Sequence, residues 1–276
     1  LFSLVARYSL KGVFIACMLS GILLMLAAAF KLGKLVSFIP SPVISGFTSG
    51  IAIVIALSQL DNFFGVSSVG ETAFQRVLSY FKQGFSPNPS SVIIGLAVIA
   101  VMILWPKSWN NRIPGSLVAI AAAMAINGIF SLDAATIGEI PKSILPAERL
   151  SLFDIKFGEL KNYISPALGI TALGMVESLL CGASAGRMKG EKLNADQELF
   201  AQGVGNLALP FFGGIPATAA IARTSVAIKS GAQTRLTSVF HSLFILASML
   251  LLGGVISIIP LSALAGVLLM TAWRMN

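Results

Sequence analysis

The stretch Phe212-Gly-Gly-Ile-Pro-Ala-Thr-Ala-Ala-Ile-Ala-Arg-Thr-Ser-Val-Ala-Ile-Lys-Ser-Gly231 decides the fold that we predict for this chain. Two glycines and a proline at its start disfavour regular helix. Small residues follow, and they let the backbone come close to a neighbouring backbone or to a ligand. Arg223 lies in the middle of the stretch, within sequence that is otherwise apolar enough for a membrane. A broken segment with a cation at membrane depth is typical of anion-handling sites.

Composition indicates an integral membrane protein. The 276 residues are 56% hydrophobic and only 11% charged, with a mean hydropathy of +0.88, whereas a soluble domain carries roughly 25% charged residues. A net charge of +8 would suggest nucleic-acid binding in a soluble protein. Here the basic residues fall in short loops between apolar runs, where they indicate topology, so we exclude nucleic acid as a partner. One histidine and two separate cysteines give no metal-ligand spacing, and we expect no metal or cofactor.

Apolar runs of about 20 residues predict the membrane crossings. The runs are Leu10–Leu32, Pro40–Leu60, Ser91–Trp105, Ser116–Phe130, Tyr163–Gly186, Leu236–Ile258 and Pro260–Trp273. A helix that Asn194 caps and that runs to about Phe212, and the broken segment after it, complete the set. Alternating these spans places every basic cluster on one side, the cytoplasm, and the two longest polar connections on the other. In the first connection, Thr72–Phe85 has apolar positions at helical spacing and is a candidate for a helix on the membrane surface.

A short internal repeat predicts how the spans are arranged. Ile39-Pro-Ser-Pro-Val-Ile-Ser-Gly46 resembles Ile259-Pro-Leu-Ser-Ala-Leu-Ala-Gly266, and each copy follows a long apolar span. About seven crossings separate the copies, and an odd number predicts an inverted-topology repeat. Chance similarity of two proline-led spans is the alternative. If the repeat is real, the counterpart of the broken segment precedes residue 1, and the chain is a piece of a longer protein with about fourteen spans.

Glu177 is the second charged residue that lies deep in apolar sequence. A carboxylate at membrane depth costs roughly 2.5–3.5 kcal/mol on insertion scales, so it faces protein or water, or it is protonated. One interpretation is an acid that loads and releases a proton during a transport cycle. The other is a structural acid that is hydrogen-bonded to a neighbouring helix.

Arg223 and its neighbours are the predicted anion site. Positive potential would come from Arg223 and from free backbone N–H groups at the start of a short helix after Ala222. The alternatives for Arg223 are an ion pair with Glu177 or snorkelling at the cytoplasmic end. We expect Ala217–Ala222 to be extended, with Thr218 as a hydroxyl donor, rather than to be a tightly packed helix of small residues. The predicted anion-binding residues are Thr218, Ala220, Ile221, Ala222, Arg223 and Thr224.

Gly182-Ala-Ser-Ala-Gly186 matches the nucleophile elbow of serine hydrolases. That motif requires a strand, a turn and a helix, whereas this copy falls inside a predicted helical span, with His241 as the only available base. Two glycines four residues apart favour close helix packing instead. We therefore expect a transporter and not an enzyme.

Several longer motifs carry a family resemblance. They are Gly174-Met-Val-Glu-Ser-Leu-Leu-Cys181, the run from Asn194 to Asn206, the start of the broken segment from Phe212 to Thr224, Pro42–Gly50 and Leu60–Gly65. On these residues the chain resembles the SulP family of sulfate-permease-type anion transporters over essentially its whole length. Within the family it is most similar to bacterial dicarboxylate carriers of the DauA type.

The resemblance implies part of a seven-plus-seven inverted-repeat transporter fold, all-α and polytopic, with a core and a gate domain and a short extended segment before a half-helix. On that scheme residues 1–9 are the tail of a preceding half-helix. The core spans are 10–33 and 163–258, which include the broken segment 213–231. The gate spans are 39–131 and 260–276, and 132–162 is an extramembrane connection. The cytoplasmic STAS domain that is usual in the family lies outside this chain.

The resemblance also implies secondary active anion transport in a bacterial inner membrane. Glu177 matches the coupling acid of the family. Sodium-dependent bicarbonate members place hydroxyl residues at the positions that Cys181 and Ile221 hold here. Because a hard cation prefers oxygen ligands, proton coupling is favoured over sodium coupling. We expect proton-coupled symport of sulfate or a small dicarboxylate by an elevator-like movement of the core domain against the gate domain. The alternatives are an uncoupled exchanger or channel, or a bicarbonate transporter. The expected partners are the anion, protons and the lipid bilayer, with homodimer formation left open.

Overall fold

The computed structural model describes residues 2–34, 41–70, 73–106, 108–109, 113–140, 143–154 and 157–275. The helices in these ranges are α1 (Phe2–Ala29), α2 (Ser41–Phe64), α3 (Ala73–Gln83), α4 (Pro89–Leu104), α5 (Gly115–Phe130), α6 (Ile164–Lys189), α7 (Ala195–Ala208), α8 (Ile221–Lys229), α9 (Leu236–Ser257) and α10 (Leu261–Met275). The only β pairing among the described residues is one isolated bridge between Thr136 and Pro260. The prediction of an all-α fold is confirmed.

Helix lengths and apolarity agree with membrane crossing. Arg7–Ala29, Gly158–Lys189 and Leu236–Ser257 are long and apolar enough to span a membrane. Four shorter apolar helices are Ser49–Phe64, Pro89–Leu104, Gly115–Phe130 and Leu261–Arg274. These segments follow the apolar runs of the sequence. Ile39 and Pro40, which begin the first repeat copy, lie outside the described residues.

One compact unit comprises Leu1–Ser41 and Ser143–Val239. Its central contact is between α1 and α7, which cross where neither helix carries a side chain. A Cβ atom added at Gly21 would lie 2.4 Å from the backbone nitrogen of Leu207, and one added at Gly203 would lie 2.7 Å from the carbonyl oxygen of Gly21. Glycine therefore lets the two backbones touch.

Helix α1 is interrupted at Ser9, whose φ of 62° and ψ of 171° are not helical. This is a conformation that residues other than glycine rarely adopt. A short helical piece thus precedes the long span. That this piece is the tail of another half-helix stays a prediction.

Local signals fix both ends of α7. The side chain of Asn194 accepts a hydrogen bond from the backbone N–H of Gln197 at 3.2 Å, the cap that the sequence predicted. A 3₁₀ turn, Leu209–Phe212, follows the helix, and Gly213 ends that turn with a φ of 74°. This left-handed conformation suits glycine and directs the chain into the broken segment.

The second compact unit comprises Pro42–Lys142 and Phe240–Asn276. Its core is aliphatic and joins α4, α5 and α10; the fully buried members are Ile94, Val98, Met102, Ala119, Ala123 and Ala263. No residue of α9 is buried. The assignment of segments to core and gate roles stays a prediction.

Candidate functional site

The broken segment interrupts the helical structure as predicted. Residues 214–220 form no helix, and Ala220 is extended, with φ −114° and ψ 111°. Helix α8 begins at Ile221, close to the start that the sequence predicted around Ala222. Its first hydrogen bond joins the N–H of Thr224 to the carbonyl oxygen of Ala220 at 3.0 Å. The alternative of one tightly packed helix through Ala217–Ala222 is wrong.

Helix α8 is too short to cross a bilayer. Its nine residues rise about 13.5 Å at 1.5 Å per residue, less than half of a hydrocarbon thickness of about 30 Å. The helix can therefore cover only part of the thickness of a bilayer. Because irregular backbone in lipid would leave polar groups unpaired, the residues before it must be held by protein.

Glu177 on α6 contacts the broken segment. Its Oε2 atom accepts a hydrogen bond from the Thr218 hydroxyl at 2.7 Å, and the residue is half-buried. The carboxylate therefore has a protein partner. Its partner is the irregular segment, whereas the structural interpretation of Glu177 expected a neighbouring helix.

A second contact lies one helical turn further along α6. The Cys181 thiol donates to the Thr224 hydroxyl, with 3.4 Å between sulfur and oxygen. Glu177 thus binds the segment before the start of α8, and Cys181 binds the first turn of that helix. Because residues four apart lie on one face of a helix, the same face of α6 contacts both the broken segment and the first turn of α8.

Three uncharged side chains hold the backbone of the broken segment. The N–H of Ala217 donates to Asn206 Oδ1 at 3.0 Å, and Gln202 Nε2 donates to the carbonyl oxygen of Ala217. The N–H of Ala219 donates to Ser178 Oγ at 3.4 Å. Sequence reasoning did not assign a role to Ser178, Gln202 or Asn206. The available signal was two amide side chains four residues apart in a helix of small and apolar residues.

Other backbone donors nearby are open to a ligand. Within the part of the chain that the structure describes, the N–H groups of Thr218 and Ala220 have no hydrogen-bond partner. The first-turn N–H groups of Ile221–Arg223 have no partner within the helix, and no side chain caps α8. A helix N-terminus with free N–H groups attracts negative charge.

Arg223 is exposed and forms no ion pair with Glu177; both are described residues. The ion-pair alternative for Arg223 is therefore wrong. Its position in the first turn of α8 still adds positive charge at the helix start. Whether Arg223 touches an anion or acts through its field stays a prediction.

The hydrolase-like motif lies inside α6. A Cβ atom at Gly182 would lie 2.7 Å from Leu193 Cδ1, and one at Gly186 would lie 2.6 Å from the Glu191 carbonyl oxygen. The glycines thus make room for the turn between α6 and α7. Ser184 sits in continuous helix, without the strand and sharp turn that a nucleophile elbow needs.

Comparison with known proteins agrees with this geometry. The model of the sulfate permease family matches residues 3–276. YvdB of Bacillus subtilis, named for sulfate transport, is 33% identical over all of this chain and 53% of its own length. The bicarbonate transporter BicA of Synechocystis is 30% identical over 92% of this chain and 45% of its own length.

Solved structures give the same assignment. The transmembrane domain of a cyanobacterial BicA superposes with a TM-score of 0.88 at 27% identity, covering 99% of this chain and 70% of that domain. The chain spans about half the length of the curated relatives named above. The chain belongs to the sulfate permease family, SulP.

Proposed function

We propose that the protein containing this chain is a secondary active anion transporter of a bacterial inner membrane, which carries sulfate or a small dicarboxylate together with a proton. It is a transporter and not an enzyme. The observation that carries the proposal is the hydrogen bond between Glu177 and Thr218, which lies three residues before the start of α8. A titratable acid thereby contacts the same short segment that carries the free N–H groups.

The two sites are coupled through charge. Protonation of Glu177 removes a negative charge close to the start of α8, where an anion would bind, and so it favours anion binding. By thermodynamic linkage, a bound anion raises the affinity of Glu177 for its proton by the same factor. A carboxyl group that carries a proton can also donate a hydrogen bond, whereas a carboxylate only accepts. The Thr218 hydroxyl, which now donates to Glu177, would then be able to turn toward the anion.

The residues around the break favour a proton over a sodium ion. Cys181 offers sulfur where an oxygen ligand would serve a hard cation, and Ile221 offers no side-chain ligand. The Cys181 thiol is also engaged with Thr224. An elevator-like movement of core spans against gate spans, and a homodimer, complete the proposal.

Transport driven by a pH gradient tests the coupling. The intact protein in proteoliposomes should accumulate radiolabelled sulfate or succinate when the outside is acidic, with no requirement for sodium. Glu177→Gln, which mimics the protonated acid, should abolish accumulation while exchange of anion for anion continues. Glu191→Gln is the matched control, because Glu191 is an exposed acid on the turn after α6 that pairs with Lys189. That control should accumulate anion as the wild type does.

Two results would reject this proposal in favour of the alternatives. Uptake that ignores the pH gradient and survives Glu177→Gln would indicate an uncoupled exchanger or channel. Uptake of radiolabelled bicarbonate, unaffected by excess sulfate or succinate, would indicate a bicarbonate transporter. The likeness to BicA makes bicarbonate transport the second candidate, since 30% identity to BicA approaches the 33% identity to YvdB.

A further inference from the structure

The broken segment must keep a fixed backbone shape without the hydrogen bonds of a helix or a sheet. Residues 214–220 have no regular structure, yet their backbone lies against α6 and α7. A buried backbone N–H or carbonyl group without a partner is destabilising, so these groups need partners from elsewhere. The structure supplies them from side chains.

Gln202 and Asn206 supply most of these partners. Asn206 Oδ1 accepts from the N–H of Ala217 at 3.0 Å, and Gln202 Nε2 donates to the carbonyl oxygen of the same residue. An amide side chain carries the same donor and acceptor groups as a peptide unit. The two side chains therefore serve Ala217 as the neighbouring strand of a sheet would.

Ser178 extends the network along the segment. Its hydroxyl donates to Gln202 Oε1 at 3.4 Å and accepts from the N–H of Ala219 at 3.4 Å. Ser178 and Asn206 are both fully buried, with 0% of their surface exposed. The bonds of Ser178 and Asn206 favour one geometry, since breaking either leaves a fully buried side chain without its partner.

The two residues that the network holds flank Thr218, whose hydroxyl binds Glu177. We propose that Gln202 and Asn206 are positioning residues of the anion site: they form an amide clamp that fixes the backbone around Thr218, and so align the open N–H groups at the start of α8. This role rests on the proposed function. The clamp touches neither proton nor anion and acts only through the backbone of Ala217.

The two ends of the Asn206 side chain can be tested separately, because its Nδ2 atom is buried and has no hydrogen-bond partner. The acceptor Oδ1 is therefore the atom that matters. Asn206→Asp keeps a carboxyl oxygen at that position and should retain the clamp. Asn206→Leu keeps the approximate volume, removes the acceptor and should release Ala217. Gln202→Met likewise keeps the length of the side chain and removes both of its hydrogen-bonding groups.

The experiment combines two measurements on the intact protein. Hydrogen–deuterium exchange reports the backbone of residues 214–220, and equilibrium binding of radiolabelled sulfate and succinate reports the site. Asn206→Leu and Gln202→Met should speed exchange in that segment, leave α4 and α5 protected, and weaken anion binding about tenfold, the loss expected for one hydrogen bond. Gln197→Met, the same change at an exposed position of α7, should resemble the wild type in both measurements. Asn206→Asp keeps the acceptor and should leave exchange at residues 214–220 slow.

Each remaining outcome overturns the clamp. Unchanged exchange at residues 214–220 would show that the amides do not hold the segment. Faster exchange with unchanged anion affinity would show that the segment does not align the site. Faster exchange throughout the protein would show a general structural role instead. Wild-type protein that binds no anion would overturn the proposed function, and with it the positioning role, even where exchange behaves as expected.

Discussion

Both compact units contain an irregular segment that side chains hold in place, but the side chains that hold it differ in burial. In the first unit, Ser178 and Asn206 are fully buried and bind the backbone before α8. In the second, half-buried Asp61 accepts a hydrogen bond from the Ser68 hydroxyl at 2.6 Å, while buried Ser79 accepts one from the N–H of Val69, an exposed residue, at 3.2 Å.

The difference indicates what each network does. A polar group at a water-exposed turn exchanges one set of hydrogen bonds for another, so its net contribution to stability is modest. A polar group in apolar surroundings is costly to leave unpaired. The fully buried groups of the first unit are therefore the costlier to leave unpaired, and we expect their loss to disturb the proposed anion site. The groups around the turn after α2 shape a loop.

The largest expected effect comes from the contact that positions α7. Gly203→Ala places a methyl group 2.7 Å from the carbonyl oxygen of Gly21, so α1 and α7 must separate. Because the obstructing atoms include backbone, we expect destabilisation of about 3 kcal/mol, at the upper end for overpacking. Thermal unfolding in detergent measures it.

Gly205→Ala is the control on the same helix, since a Cβ atom there meets nothing within 4 Å. Alanine favours helix over glycine by about 1 kcal/mol, so this variant should be slightly more stable than the wild type. Equal melting temperatures for the two variants would contradict the close crossing of α1 and α7.

The aliphatic core of the second unit should affect stability and not the site. Ile94 is fully buried against α5 and α10. Lipid is as apolar as this core, so Ile94→Ala loses packing contacts more than hydrophobic transfer, and we expect about 2 kcal/mol, the low end for such truncations. Ile93→Ala, at a neighbouring residue that is 54% exposed, should change little.

The affinity for sulfate tests whether the second unit affects the proposed anion site. Ile94→Ala should lower the melting temperature and leave the dissociation constant for sulfate unchanged in the protein that remains folded. A weakened affinity would show that the second unit contributes to the geometry of the site, and the contrast between the units would fail.

The fold was largely predictable, because it depends on patterns that lie close together in sequence. The lengths of the apolar runs predicted the spans, and Gly213, Gly214 and Pro216 predicted the break. The position of Asn194 predicted the start of α7. Glu177 stood out because a carboxylate is rare in an apolar run, and the structure places it against Thr218.

The amide clamp could not be predicted in the same way. Uncharged glutamine and asparagine are unremarkable in a helix sequence, and their partners are decided by tertiary packing. Ser178 meets Ala219 from 41 residues away. Arg223 stood out in the sequence as a charge, but the sequence could not decide whether it pairs with Glu177; in the structure it is exposed and does not. Sequence thus reveals the charged groups of the site better than the groups that hold its backbone.

A smaller effect is expected at the exposed apolar side chains of α3, in the second unit. Leu78 and Phe81 on α3, and Phe85 just after it, are exposed, while Ser79 binds the turn after α2 and Tyr80 binds Asp61 of α2. Phe81 is 84% exposed. Phe85 packs against Phe64 at the end of α2, with 5.1 Å between ring centroids. We expect this apolar ridge to rest in the membrane interface.

Spin labels test the position of α3. A label at Phe81→Cys should collide with oxygen and be protected from a water-soluble nickel complex, whereas a label at Lys82→Cys should behave in the opposite way. The same accessibility at both positions would place α3 in water and leave the ridge without lipid contact.

The smallest effect is expected at high pH. Burial, and then the hydrogen bond to the Asp61 carboxylate, raise the pKa of Tyr80 from 10.0 to about 12. The neutral phenol is thus favoured in the folded protein, so its contribution to stability is intact below pH 10 and is lost as pH rises toward 12. Tyr80→Phe should flatten the decline in melting temperature across this window, with little change at neutral pH. An equally steep decline in the variant would assign the alkaline loss to other groups.

The shortness of α8 has an electrical consequence. A solute held at the start of a helix that covers less than half of the hydrocarbon thickness has crossed only part of the transmembrane voltage. One elementary charge gains or loses about 2.3 kcal/mol per 100 mV over the whole membrane. Each charge of a bound anion would therefore be weighted by roughly half of that, about 1.2 kcal/mol per 100 mV. Occupancy of the site would then depend on the energised state of the cell as well as on concentration.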